Sequence, residues 1–423
     1  MHNVIRMNGN STKSPLEQKL IDHISQFGPI TFDSFMESAL YDPEHGYYPT
    51  RRRAPGATPV GVVGDYFTSP VSHPAFGALI ALQLEEMWRK LEQPHEFTVL
   101  EMGAGDGTLA ADIIEYTTNE LPDFAEAMTY VASDLAPEEN STIVQSSSEL
   151  PRGITGCVLS NELIDAFPVS RFQIVRGEVM EIFVDWDGTR FVEVLRYPSD
   201  PELEARVAAF APKLADGYRG EVNLRIGYWA DVVSDVLDKG FVLTIDYGFD
   251  RQELYKPERV EGSLRCYYQH TLSQNPLVRV GRQDITSHVD FTAVDHALHV
   301  DGLSKVSRVS QAEFLENIGI NKFFDDPDLL GQRKSELEEE FAGFGSLISS
   351  EGFGGFQVAV HSTGAPIELT GVHGGDPLSE GHTTPLLNTS SVPHSRLLRA
   401  RGPVSRQLVQ QMPTWEQLFS DQP

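Results

Sequence analysis

The residues best placed to do chemistry fall in two short runs, each with an acidic side chain where a strand would end. The first is Glu101-Met102-Gly103-Ala104-Gly105-Asp106-Gly107. Glycine at every second position removes the Cβ atoms that would hold a ligand off the backbone and permits positive φ in a tight turn. A dinucleotide fingerprint places two residues between its second and third glycines and sets a pyrophosphate on the following helix. Here Asp106 alone fills that gap, and its carboxylate is a poor neighbour for phosphate. Glu101 ahead of the glycines suits a ligand with a positive end, such as S-adenosylmethionine (SAM), whose amino and sulfonium groups are cationic. The plain alternative is a strand-to-helix turn with no ligand. The second run, Asn161-Glu162-Leu163-Ile164-Asp165, gathers an amide and two carboxylates after the apolar stretch Cys157-Val158-Leu159. Polar groups at a strand's carboxyl edge are where an open α/β sheet does its work, although the same residues could serve only as loop caps.

These runs need particular elements to hold them. Phe97 to Leu100 reads as a buried strand, and Leu109, Ala110, Ile113 and Ile114 as the buried side of a helix. Met128 to Asp134 is a second strand, and Asp134 stands where a nucleoside-binding sheet places a carboxylate for ribose hydroxyls. Gly156 to Ser160 and Phe241 to Asp246 are further buried strands, so the chain reads as a doubly wound α/β sheet. Between them, Phe172 to Tyr197 alternates strand and turn around Asp187-Gly188, a hairpin signal, and forms an inserted β-rich substrate element over about 168–224. Helices are expected at 203–214 and 225–237. Ahead of the core, helical spacing starts at Pro15 and again after Thr31. Gly46 to Gly64 reads as a long loop, and a helix follows over 74–91. Towards the end, helices are expected from Ser310 to Ile318 and over 329–344, with a last strand over 352–360. Beyond Thr363 a Gly, Pro, Ser, Thr and His-rich stretch reads as a disordered linker. It precedes a small apolar face in which Thr414 and Gln417 resemble a capping box.

Composition excludes some functions. The 423 residues carry a formal net charge of -28, which is the wrong sign for a nucleic-acid binder. Cys157 and Cys266 are the only cysteines, too few for a disulfide framework and in keeping with a reducing cytoplasm. No segment approaches the roughly twenty apolar residues that span a bilayer, and no secretory signal is visible, so a soluble cytoplasmic protein without membrane insertion is expected. His288, His296 and His299 lack regular ligand spacing, and no metal is expected.

Taken together, several motifs carry a resemblance. They are Tyr41-Asp42-Pro43 with Gly46-Tyr47-Tyr48, Gly64-Asp65-Tyr66-Phe67-Thr68-Ser69, Glu101 with its glycines, Asn161-Glu162 with Asp165-Ala166-Phe167-Pro168, Asp246-Tyr247-Gly248, and Asp284-Ile285-Thr286 with His288-Val289-Asp290-Phe291. From about Ile30 to Val360 the chain resembles the MidA family of class I SAM-dependent methyltransferases, which has a mitochondrial arginine-methylating member that assists assembly of respiratory complex I. The resemblance implies a Rossmann-like seven-stranded sheet over 96–363 and an N-terminal helical cap within 1–95; the tail over 364–423 is read from composition alone. It implies that Asp65, Thr68 and Ser69 approach the cofactor alongside Glu101, Gly103, Gly105, Gly107, Asp134 and Asn161. It places Asp284, His288 and Asp290 near the cleft, with His288 as a catalytic candidate. The family has a basic residue where Asp106 stands and alanine where Cys266 stands. If the acceptor is arginine, carboxylates can hold its planar fork bidentately. Glu162 and Asp165 then orient the substrate, with Asn161 near the methyl group. The expected partner is a protein, a respiratory-complex subunit being one candidate, and a homodimer is compatible with the chain. The competing readings are a SAM-binding assembly factor without turnover and a small-molecule methyltransferase.

Overall fold

The computed structural model describes residues 13–53, 67–135, 144–146, 150–210, 214–269, 271–325, 343–374 and 385–393. Seven strands form its central sheet: β1 (Phe97–Met102), β2 (Met128–Asp134), β3 (Val144–Ser146), β4 (Ile154–Asn161), β5 (Leu237–Asp246), β6 (Leu303–Ser310) and β7 (Gln357–Thr363). In space they run β3, β2, β1, β4, β5, β7, β6. The first five in that row are mutually parallel, and β7 lies antiparallel to both of its neighbours. The order reverses between β1 and β4, which opens a crevice at their carboxyl ends.

The two-residue period of these apolar strands divides the core into layers. Val99, Cys157, Leu243 and Val360 face helices Ala75–Lys90, Thr108–Glu120 and Gln311–Ile318. Leu100, Val158, Val242 and Ala359 face helices Ile226–Val236 and Phe291–Val300. A strand buried on both faces must read as a continuous apolar run, which is why these were visible in the sequence.

A third core joins the N-terminal segment to the middle of the chain. Helix Pro15–Phe27 opens with a reciprocal cap between Ser14 and Glu17. Its Leu16 and Leu20, with Phe32 and Phe35 of helix Phe32–Tyr41, pack on Val184, Phe191, Leu264 and Ile285. Strand Ile30–Thr31 joins Ser170–Val175, Glu178–Trp186, Phe191–Arg196 and Arg219–Val222 in a five-stranded antiparallel sheet. The turn after Trp186 closes because Asp187 Oδ1 accepts the N–H groups of Thr189 and Arg190 at 2.7 and 2.9 Å.

Several expected boundaries move. Tyr47–Arg53, read as loop, is helical. Strand β5 starts at Leu237, where a helix and cap were expected, and the helix expected over 203–214 is Pro201–Ala208. The tail does not begin at 364. Leu369 and Val372 are buried around the short helix Thr370–His373, and Leu387 is buried further on. Thr370 donates its N–H and hydroxyl to the buried Glu86 carboxylate, and Gly371 N–H donates to Gln83. Composition signalled too little apolar surface to fold, but a few anchors suffice where a buried carboxylate captures the backbone. The expected 329–344 helix falls mostly, and the Thr414 capping box wholly, outside the described residues.

Candidate active site

Strand β1 delivers Glu101 to the rim of the crevice, and the chain turns at once. Gly103, Gly105 and Gly107 all have positive φ, at 76, 60 and 79°. At Gly103 an added Cβ would also stand 2.7 Å from Leu163 Cδ1, so the Leu163 side chain would have to turn aside. The Gly103 and Ala104 N–H groups donate to Ser133 O, and the Gly105 N–H donates to Asp134 Oδ2 at 3.0 Å. Two of the three expected cofactor carboxylates, Glu101 and Asp134, therefore flank one turn. Asp106 is exposed and accepts the Thr108 N–H at 3.0 Å, so it starts the helix and leaves the glycine path undisturbed.

Glu101 is almost wholly buried, and its Oε2 accepts the Tyr130 hydroxyl at 2.9 Å. Burial raises its carboxyl to about 7 against the opposing pull of that hydrogen bond, with Asp106 and Asp134 adding to the rise. A cation beside it would reverse the shift.

The Asn161–Asp165 loop lies across the crevice and is hung from the end of β5. Glu162 N–H donates to Ile245 O, and Glu162 adopts φ 52°, a conformation rarely held by a residue with a Cβ and one that collects at functional sites. Its Oε1 accepts the Asn161 amide at 3.1 Å and the Ser69 N–H at 3.4 Å. Burial, followed by Asp165, pushes the Glu162 carboxyl up to about 8. Asp165 is raised to about 6, mainly by burial, while a 2.5 Å bond from the Tyr247 hydroxyl to its Oδ2 pulls the other way. Two acceptor atoms of this loop, Asn161 Oδ1 and Asp165 Oδ1, are buried without any donor. A buried acceptor without a donor costs about 1–3 kcal/mol, so the loop is shaped for a partner that brings N–H groups.

The remaining candidates divide. Thr68 stands at the N-cap of helix Ser69–Ser72 but makes no side-chain capping bond, which removes the capping explanation for its hydroxyl. Ser69 is fully buried and its hydroxyl donates to Gln311 Oε1 at 3.1 Å, so it reaches the site through its N–H. Asp65 lies outside the described residues. Asp284 Oδ1 accepts the Tyr48 hydroxyl at 2.9 Å, whereas Asp290 caps helix Phe291–Val300 and pairs with Arg251 at 3.0 Å. His288 packs edge-on to Tyr247 and against Phe249, both at 5.4 Å between ring centroids. Burial, with Arg259 and Arg265 nearby, lowers it to about 3, so it is a neutral ring at ordinary pH and a poor proton acceptor. Among the described residues no group of three or more His, Cys, Asp or Glu side chains is placed to hold a metal ion.

Four site residues escaped the sequence reading of individual positions: Tyr48, Tyr130, Asp246 and Tyr247. For Asp246 the signal was present, since it ends an apolar strand at the crevice as Asp134 does. Its buried carboxylate accepts the N–H groups of Ile164 and Asp165 at 2.9 and 3.3 Å and that of Tyr247 at 2.8 Å. Tyr48 and Tyr247 lie in motifs that carry the resemblance, but like Tyr130 they gave no sign of a role, because partners 29 to 236 residues away define it.

The arrangement fits SAM. Glu101 and the Asn161 amide oxygen supply acceptors for a cationic end, the glycine turn gives bare backbone, and Asp134 stands at the next strand end. Comparison with known proteins agrees. Residues 79–308 match a family model described as "Putative S-adenosyl-L-methionine-dependent methyltransferase". The chain is 27% identical over 347 residues to "Protein arginine methyltransferase NDUFAF7 homolog, mitochondrial" of Drosophila melanogaster, covering 72% of this chain and 74% of that one. The Homo sapiens protein of the corresponding name is 25% identical over 343 residues, covering 73% and 74%. A Burkholderia thailandensis protein solved bound to S-adenosyl-homocysteine superposes with a TM-score of 0.74 at 28% identity, over 85% of this chain and 95% of that one. The expected cytoplasmic location is corrected by these names, since the curated relatives are mitochondrial proteins. Two buried free thiols argue against a disulfide-forming compartment but do not distinguish among reducing ones.

Proposed function

This chain belongs to the family of SAM-dependent methyltransferases whose model it matches, and on that premise we propose that it methylates a protein substrate at arginine. The observation that carries the acceptor is the buried Asp165 Oδ1, left without a donor beside the Glu162 carboxyl once Asn161 Oδ1 is given to the cofactor. A guanidinium is donor-only, planar and permanently charged, with a pKa above about 12. It satisfies several acceptors at once, which a neutral small molecule does less well. The names of the curated relatives support the same acceptor. A respiratory-complex subunit is the target class we favour, and a homodimer the assembly. The inserted five-stranded sheet, packed on the N-terminal helices, is the element we assign to shaping the substrate cleft.

In this reading Glu101, the Gly103–Gly107 turn, Asp134 and Asn161 hold the cofactor, with Thr68 and Asp65 approaching it from the preceding segment. SAM, when bound, supplies a methyl group on a sulfonium centre. The chain's own contribution is alignment and exclusion of water. Asp165 Oδ1 accepts from the guanidinium fork and so orients it. Glu162 gives up its proton as the cation arrives, and the resulting carboxylate takes the proton that the methylated nitrogen must shed. His288 serves as a wall behind Tyr247.

The test is transfer of radiolabelled methyl groups from SAM into cell-extract proteins, followed by acid hydrolysis. Label is expected in methylarginine and absent with Gly103→Val, whose side chain would collide with Leu163. Calorimetric uptake of SAM without labelled protein favours an assembly factor, and label in small molecules alone favours the other enzyme reading.

A further inference from the structure

Asp165 could meet an acceptor with either oxygen, yet only one is left to do so. Its Oδ2 receives the Tyr247 hydroxyl at 2.5 Å, while Oδ1 is buried with no donor. Tyr247 is itself held on both sides. Its ring packs edge-on to His288 at an interplanar angle of 87° and lies 5.2 Å from Phe356. Below it, one Asp246 carboxylate takes the backbone N–H of Tyr247 on Oδ1 and those of Ile164 and Asp165 on Oδ2. The donor and the acceptor of the Tyr247–Asp165 bond are thus fixed to each other from their own backbones, through a third side chain that is fully buried.

We infer that Tyr247 is the positioning residue that selects Asp165 Oδ1 as the oxygen offered to the acceptor, with Asp246 fixing the loop that carries it. The inference rests on the arginine reading for what that oxygen meets, though not for how it is set. Without the hydroxyl, the Asp165 carboxylate loses its only side-chain hydrogen bond among the described residues. That bond opposes the effect of burial on its ionisation. The other groups facing the carboxylate are Glu162, Asp246, Tyr41 and Tyr267, none of which replaces that bond, while the backbone N–H groups of Ala166 and of Asp165 itself continue to favour its ionised form.

Tyr247→Phe tests this, since it removes one oxygen and keeps the ring packing. Methyl transfer into extract protein should fall about tenfold near neutral pH, and the point at which the acid limb of the pH–rate profile steepens, where Asp165 takes a proton in addition to Glu162, should move up by about one unit. SAM affinity measured by calorimetry should stay within about twofold. An unmoved acid limb, or a loss of SAM affinity in step with turnover, overturns the inference. A wild-type protein that transfers no label defeats the arginine reading instead. The positioning role is then judged from thermal unfolding against pH. Tyr247→Phe must steepen the fall in melting temperature as pH rises through the Asp165 range, and superimposable curves reject it.

Discussion

Glu162 combines a positive φ, near-complete use of one oxygen and a carboxyl raised to about 8, all in five residues that also carry Asp165 at about 6. Both groups hold protons in the folded protein at pH values where the unfolded chain has released them. Stability is therefore full below the ordinary carboxylate range and falls as pH rises through about 6 to 8. Thermal unfolding across that interval should show a melting temperature that declines with pH, and Glu162→Gln should flatten the decline. A wild-type curve that climbs across that range contradicts the assignment. The same linkage gives binding its sign. A cationic acceptor prefers the ionised loop, so its affinity should rise with pH over the interval in which Glu162 deprotonates. Only part of this was visible in the sequence. Strand-end carboxylates announce themselves by following an apolar run, which is why Glu101, Asp134 and Asp165 could be named. The hydroxyls of Tyr130 and Tyr247, which pull Glu101 and Asp165 down against the effect of burial, come from distant segments. His288 was named from resemblance, and its aromatic surroundings give it a packing role.

At the scale of elements, the crevice is made by strand ends, and helices keep those ends in place. Helix Ala75–Lys90 buries Gln83 and Glu86, an odd choice for a core until Thr370 and Gly371 are seen to donate to them. Glu86→Ala should strand those donors. We expect a loss of roughly 2 kcal/mol in denaturant unfolding and earlier proteolytic cleavage beyond Thr363, with SAM affinity little changed. Unaltered proteolysis would show that the segment is held by its apolar anchors alone. This latch could not be anticipated, because a polar residue in a helix declares its partner only when the chain returns to it. The β strands of the main sheet were legible for the opposite reason. Burial on two faces leaves an uninterrupted apolar signature, as in Phe241-Val242-Leu243, whereas the outer strands β3 and β6 carry none and were missed, and the starts of β5 and β7 were misplaced. Tyr47–Arg53 was missed because tyrosine, proline and consecutive arginines give no helical stripe.

For the molecule as a whole, the balance of 61 acidic against 33 basic residues sets the company it keeps. Like charge repels nucleic acid and favours partners that are basic where they dock, consistent with an arginine-bearing target. Attraction of that kind is screened within about 8 Å at physiological ionic strength, so the Michaelis constant for a protein substrate should rise as salt is added, with the turnover number little affected. Insensitivity to salt would place recognition in apolar contacts. No helix among the described residues is long and apolar enough to cross a membrane. The sheet order and the glycine turn converge on methyl transfer from SAM, with protein arginine the acceptor we propose. Its most direct test is mass spectrometry of methylated peptides from cells with and without the gene. The account predicts that methylarginine disappears from one or a few defined sites when the gene is lost and returns with the wild-type protein but not with Gly103→Val. An arginine-methylation pattern that is identical in both cells would contradict it.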